Sequence, residues 1–434
     1  MKQLDNQLED FASIPVPKHI RYSGLSIALV TSVLVFGAAS LSLGAQIGAS
    51  LGFRDSMIAF VLGGFFLFIV GYLIGIIGVR SRLSSYILIR LVFGKNGSIL
   101  LNIALAFALL GWYGVSMDIF SASLNQLFNA SFSIDIPYYA IEIIGGFLMT
   151  YTALKGFQLL ESLSNWITPL LILLTAYLGY KGFLIYTIDW NPIEQKENSF
   201  TISMAADAVI GSFILGAILM SDFTRFARTS KDVFTATFLP FLIFSTLGYM
   251  AAFFAAAATN QTDIINIMNA LGLGLGAMFL IFLSSWIVNG INLYSATLSL
   301  SSIFKKYKQW QIAIITGILA TVAALVNILE QLTSFLIVLS AIFSPIGGIL
   351  IADYYLIRRQ KNYNIEELNT TFNLNYRAIT SCLVAILLSF YPTKNLEVTF
   401  GFPAIDSLLI AGILYTIMTI VMKKITGEVK KLNA

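Results

Sequence analysis

The sequence predicts an all-α, polytopic membrane protein with about twelve transmembrane helices. Three observations predict it. First, 57% of the 434 residues are hydrophobic and only 11% are charged, with a mean hydropathy of +0.83. A soluble domain carries roughly 25% charged residues, so this chain has too few to coat a surface facing water. Second, runs of about 20 apolar residues recur from end to end, the length a helix needs to cross about 30 Å of hydrocarbon. Third, the basic residues alternate: with the N-terminus inside, 22 of the 26 Lys and Arg fall on the inner side, and only Arg54, Lys181, Lys196 and Lys394 fall outside. That asymmetry is the topology signal of an inner membrane, with both termini cytoplasmic.

Apolar windows bounded by charge and turn residues place the spans at about 23–48, 56–79, 98–127, 136–153, 161–187, 202–221, 233–258, 272–303, 311–329, 333–357, 377–391 and 404–422. Residues 1–22 are a polar cytoplasmic tail without the apolar core of a signal peptide. A core of ten spans covers 23–357, a cytoplasmic loop 358–376, two additional spans 377–422 and a C-terminal tail 423–434. Segment 81–97 is too charged to span and too apolar to hang free, and reads as a helix in the membrane interface. A single cysteine, Cys382, excludes a disulfide framework, and a single histidine, His19, leaves zinc and haem chemistry without ligands. No enzyme, metal, cofactor, nucleic-acid partner or obligatory protein partner is expected, only the bilayer and a small molecule.

Two spans carry small residues where a helix would break. In the first, Phe36-Gly37-Ala38-Ala39-Ser40 interrupts the apolar run; in the sixth, Gly211-Ser212-Phe213-Ile214-Leu215-Gly216-Ala217 sits mid-span. Broken helices near the bilayer midplane, with freed backbone facing a cavity, mark the binding sites of secondary transporters. Glycines in one span also serve simple helix packing. Here, however, the two interrupted spans open successive sets of five, as an inverted five-plus-five repeat requires.

The third span holds Trp112 between Gly111 and Gly114, with Ser116 one turn on. A mid-span indole with Phe213 opposite would sandwich a planar ligand by offset stacking, and core packing is the competing reading. The eighth span holds Asn289 and Asn292, three apart on one face, as readers of a polar ligand edge or as glue between helices.

Over essentially its whole length the chain resembles the nucleobase:cation symporter family, in its cytosine permease branch. The resemblance rests on ordered blocks: Pro15-Val16-Pro17, Gly111 to Gly114, Gly211 to Ile214, Ser221 to Phe226, Trp286 to Tyr294, and Pro345 to Tyr354. It implies import of a nucleobase, cytosine foremost, by cation symport and alternating access. The base would stack between Trp112 and Phe213, backbone around Gly211 and Ser212 would read its edge, and Phe36 and Gly37 would stand alongside. The same fold also serves other heterocycles (a thiamine-precursor pyrimidine, hydantoin, allantoin, a purine) and amino acids.

The chain departs from the family where sodium would bind. Ile287 and Val288 replace hydroxyl residues after the eighth-span tryptophan, leaving Ser284 and backbone carbonyls for a hard cation. Apolar Leu109-Leu110 replaces a polar amide before Trp112, and Leu215 replaces a small residue. The coupling cation is then H⁺ or Na⁺, and Asp118, six residues after Trp112, is the candidate proton carrier or else a structural acid.

Overall fold

A computed structural model describes residues 16–17, 19–187, 201–325, 332–390 and 401–425. Most of both tails, the ends of the ninth and eleventh spans, and the positions of Lys196 and Lys394 lie outside the described residues. The described residues form helices joined by turns and loops, with one isolated bridge between Tyr22 and Ala227.

The helices follow the chain in order. The first span is α1 (Gly24–Val35) and the opening of α2 (Ala38–Ser81). Gly52, at φ 75°, breaks α2 into two rods, so its second part is the second span. Gly94, at φ 84°, does the same within α3 (Ser85–Phe132), separating a short helix over 85–93 from the third span. Only glycine takes this left-handed geometry without strain. Next come α4 (Tyr138–Leu154), α5 (Phe157–Ile185), α6 (Ile202–Ile218) and the stub α7 (Met220–Thr224). The seventh span is α8 (Ser230–Phe238) and α9 (Ser245–Thr259), joined by a π turn at Pro240 where the proline lacks an N–H. After α10 (Ile264–Ala270) come α11 (Gly274–Ile303), α12 (Gln309–Ala324), α13 (Leu332–Ala352), α14 (Tyr376–Phe390) and α15 (Pro403–Ile425). Within the described residues, each of the twelve predicted windows falls largely on helix. Seven described helical stretches, one of them α8 and α9 taken together across the π turn, are long and apolar enough to cross a bilayer. The remainder are 17 residues or shorter, several of them halves of a broken span or neighbours of residues outside the described set.

Large apolar side chains cover the outside, such as Phe147 at 75% exposure and Trp166 at 79%, which in a bilayer is the lipid-facing surface. Inside, the inverted repeat has a direct signature. Gly146 of α4 lies against Thr321 of α12, and Gly317 of α12 lies against Thr150 of α4. A Cβ on either glycine would come within 2.2 Å of the opposing hydroxyl. The fourth and ninth spans thus meet by exchanging the same Gly-x-x-x-Thr contact, as elements related by a pseudo-two-fold axis must.

Two expectations are corrected. The helix over 85–93 does not lie in the interface: eight of its nine residues are buried in protein, and only Arg90 is partly exposed. Its Tyr86 hydroxyl donates to the Ser295 carbonyl at 2.7 Å, fastening it beneath α11. The break in the sixth span also falls later than expected. Residues 211–217 are continuous helix, and the backbone leaves helical geometry at Leu219 (φ −85°, ψ 8°).

Candidate functional site

The first-span break follows from local geometry. Ser23 caps α1 by accepting from the Ser26 amide at 3.2 Å, and α1 ends at Phe36 (φ −88°, ψ 9°). Gly37 is extended, and the helix restarts at Ala38 with no side chain capping it. The first amides of a helix have no intrahelical acceptor, so those of Ala38 and Ala39 are available to a ligand. Both residues line a cavity at the centre of the molecule.

Four helical segments wall this cavity. The break supplies Leu34 and Gly37 to Ser40. The third span supplies Leu109, Trp112, Ser116 and Ile119, at the spacing of one helix face. The sixth span supplies Ser212, Phe213, Leu215, Gly216 and Leu219, with Phe223 beyond the break. The eighth supplies Ser285, Val288, Ile291, Asn292 and Ser295, again one face. No charged side chain lines the cavity among the described residues.

The structure brings six of the sequence candidates together on this cavity: Gly37, Trp112, Ser116, Ser212, Phe213 and Asn292. Trp112 and Phe213 make no ring contact with each other, so the space between them is not filled by their own packing. Trp112 instead packs edge-on against Phe335 of α13, centroids 5.8 Å apart, in the room that Gly111 leaves. Asn292 is 7% exposed, and its Nδ2 has no protein hydrogen-bond partner. The Ser212 hydroxyl is already engaged, donating to the Val209 carbonyl at 2.6 Å and lying 2.8 Å from the Tyr249 hydroxyl.

The other candidates sit off the cavity wall. Gly211 faces α13, where a Cβ would lie 2.0 Å from the Leu336 carbonyl oxygen, so its smallness serves helix packing. The Phe36 ring turns toward the seventh span and packs on Phe244 at 5.6 Å. Asn289 is fully buried against α4, its Nδ2 3.4 Å from the Met149 sulfur. Ser284 donates to its own helix at the Ile281 carbonyl, 2.9 Å away. Asp118 is partly buried and lies within electrostatic reach of Glu142 on α4. Sequence reasoning passed over Ser40, Ser285 and Ser295. Extending the i, i+3, i+7 pattern from Asn292 would have found the latter two.

Packed chain borders the cavity on both sides. On one, α13 leans in through Phe335 and Leu336, and Thr333 Oγ1 donates to Gln46 Oε1 at 3.3 Å. On the other, the Tyr22 backbone pairs with the turn after α7: its amide donates to the Phe226 carbonyl at 2.8 Å and its carbonyl accepts from the Arg228 amide at 3.1 Å. Arg82 Nη1 donates to the Arg225 and Ala227 carbonyls of that turn, and Phe226 stacks on Phe157 at 4.7 Å. Arg225 itself is fully buried, with Nη2 donating to the Tyr294 hydroxyl at 3.3 Å.

Comparisons with known proteins agree with this architecture. The family described as "Permease for cytosine/purines, uracil, thiamine, allantoin" matches residues 15–414. The cytosine permease of Escherichia coli K12 is 29% identical over 391 residues, covering 88% of this chain and 89% of that protein. The allantoin permease of Bacillus subtilis is 22% identical over 72% of each chain. Among solved structures, a nucleobase-cation-symport-1 family transporter in a closed conformation with bromovinylhydantoin bound superposes with a TM-score of 0.82. It is 18% identical and covers 96% of both chains, a likeness of fold. With a family match across nearly its whole length and a helical bundle broken in its first and sixth spans, this multi-pass membrane protein belongs to the nucleobase:cation symporters, the permeases for cytosine/purines, uracil, thiamine and allantoin.

Proposed function

We propose that this protein imports an uncharged nucleobase, cytosine foremost, across the plasma membrane by cation symport and alternating access. Both termini face the cytoplasm, and residues 23–357 form the moving core. The observation that carries the reading is one cavity lined by Trp112, Phe213 and the unpartnered amide of Asn292. Two separated aromatic rings fit the faces of a flat ring by stacking. A buried donor without a partner favours a ligand that brings an acceptor, such as a ring carbonyl or ring nitrogen. The Ala38 and Ala39 amides, at the positive end of a helix, suit a second carbonyl oxygen. With no charged side chain on the wall among the described residues, a zwitterionic amino acid is a poor fit.

Ile287 is buried and Val288 lines the cavity, and neither offers oxygen to sodium. Ser284 is committed to its own helix. We therefore favour H⁺ as the coupling ion, with Asp118 beside Glu142 as its carrier. The family description and the allantoin and hydantoin permeases among the relatives keep another heterocycle as the second reading. Uptake of radiolabelled cytosine into proteoliposomes, under separate Na⁺ and pH gradients and with unlabelled competitors, tests both. Uptake competed by cytosine and driven by pH supports the first. Competition by hydantoin or allantoin but not cytosine would replace it with the second.

A further inference from the structure

We propose that the Arg90, Lys95 and Lys305 side chains form a binding site for the headgroup of an anionic phospholipid, which lies in the cytoplasmic leaflet under the orientation above. The proposal is independent of the transported substrate. Arg90 is the only residue of the 85–93 helix that is not buried, and its Nε is shielded from solvent with no hydrogen-bond partner. The left-handed turn at Gly94 then delivers Lys95, whose amide is fixed by the Phe372 carbonyl at 3.0 Å. Lys305 follows the end of α11 at Ile303. That end is held to the third span by Asn102, whose Nδ2 donates to Ser302 Oγ at 2.8 Å and whose backbone carbonyl accepts from Ser299 Oγ at 2.6 Å. The three cations are thus carried on braced backbone.

Among the described residues no acid balances them. Residues 56–117 and 264–329 contain no Asp or Glu, and the nearby loop acid Glu367 is paired with Arg358 at 2.7 Å. Partial burial and the like charges of Arg90 and Lys95 hold the Lys305 ammonium below its ordinary value. The positive-inside rule accounts for basic loops at this end. It does not call for an Arg with a shielded, unpaired Nε converging with two lysines that repel each other. A phosphodiester answers both: its oxygens take charge-assisted hydrogen bonds and its charge offsets the repulsion. Exposed Phe304, Tyr307 and Phe372 beside the cluster suit the glycerol and upper acyl region. A lipid, not a free anion, uses both halves of this surface.

The full-length protein should be titrated with phosphatidylglycerol in detergent and read by native mass spectrometry, with thermal stability measured in parallel. At roughly fivefold per cation, the triple variant R90Q/K95Q/K305Q should bind about a hundredfold more weakly. Lys305→Gln alone, on an exposed side chain, should lose about fivefold while keeping its melting temperature in phosphatidylcholine. Lys424→Gln, at the far end of α15, should stay within about twofold of the parent. The idea is overturned if the triple variant retains lipid as well as the parent, or if Lys424→Gln loses as much. Inorganic phosphate stabilising the protein in phosphatidylcholine as well as phosphatidylglycerol does would overturn it equally.

Discussion

Replacing Asn292 by leucine separates recognition from folding, because its two expected effects have opposite signs. The side chain is 7% exposed and Nδ2 has no partner in the protein. A buried polar group left unsatisfied costs about 1–3 kcal/mol, and leucine, branched at the same carbon and apolar, removes that cost. Asn292→Leu should therefore leave thermal stability in detergent unchanged or raised, by an amount on the order of 1 kcal/mol. Binding should move the other way. If Nδ2 donates to the base, losing that bond weakens binding by about 1–3 kcal/mol, roughly 5- to 150-fold in Kd. Equilibrium binding of radiolabelled cytosine reads this directly. Asn289→Leu is the matched control, since that amide abuts Met149 away from the cavity wall; it should change Kd by less than about twofold. The reasoning is refuted if Asn292→Leu binds the base within threefold of the parent, or if both leucine variants lose affinity alike.

Trp112→Ala should raise the Kd for the base by about 5- to 150-fold, the worth of about 1–3 kcal/mol of base–aromatic stacking, with Trp112→Phe recovering most of it; a Kd within twofold in the alanine variant counts against the aromatic clamp. Gly211→Val forces α6 away from the Leu336 carbonyl and should cost about 1–3 kcal/mol of stability, seen as a lower melting temperature. Gly216→Ala, where the nearest atom to a Cβ is 3.9 Å away, should leave the melting temperature unchanged. Asp118→Asn should abolish accumulation driven by a pH gradient while sparing counterflow exchange, measured in proteoliposomes; undiminished pH-driven accumulation removes Asp118 from the coupling step.

The spans were legible because hydrocarbon thickness imposes one length on every crossing helix, and because charge marks the loops. The first break was legible too, since Gly37 is a poor helix former in an apolar run. The second was misplaced because Gly211 has a different task. It admits the backbone of α13, while the real interruption falls at Leu219, a residue with no breaking tendency of its own. There the tertiary surroundings, not the local sequence, decide where helix geometry ends. Space beside Trp112 was expected from Gly111, yet Phe335, more than 200 residues along the chain, occupies it. Asn289 and Asn292 share a helix face to within about 60°, and a cavity wall is narrower than that. Periodicity could name the face of α11, but not which of two neighbouring amides meets the cavity. The 85–93 helix misled for a related reason: its apolar residues look like membrane contacts, but α11 covers them.

The reciprocal contact between Gly146 and Thr321, and between Gly317 and Thr150, is isologous within one polypeptide: the same notch and the same knob, each supplied twice. Along a line drawn between the two pairs, both halves of the repeat see an identical neighbour. Sliding α4 along α12 would lift each threonine out of its notch, whereas turning about that line keeps both seated. Contact of this kind resists sliding more than turning, and a bulky residue at Gly146 or Gly317 would meet the opposing threonine at once.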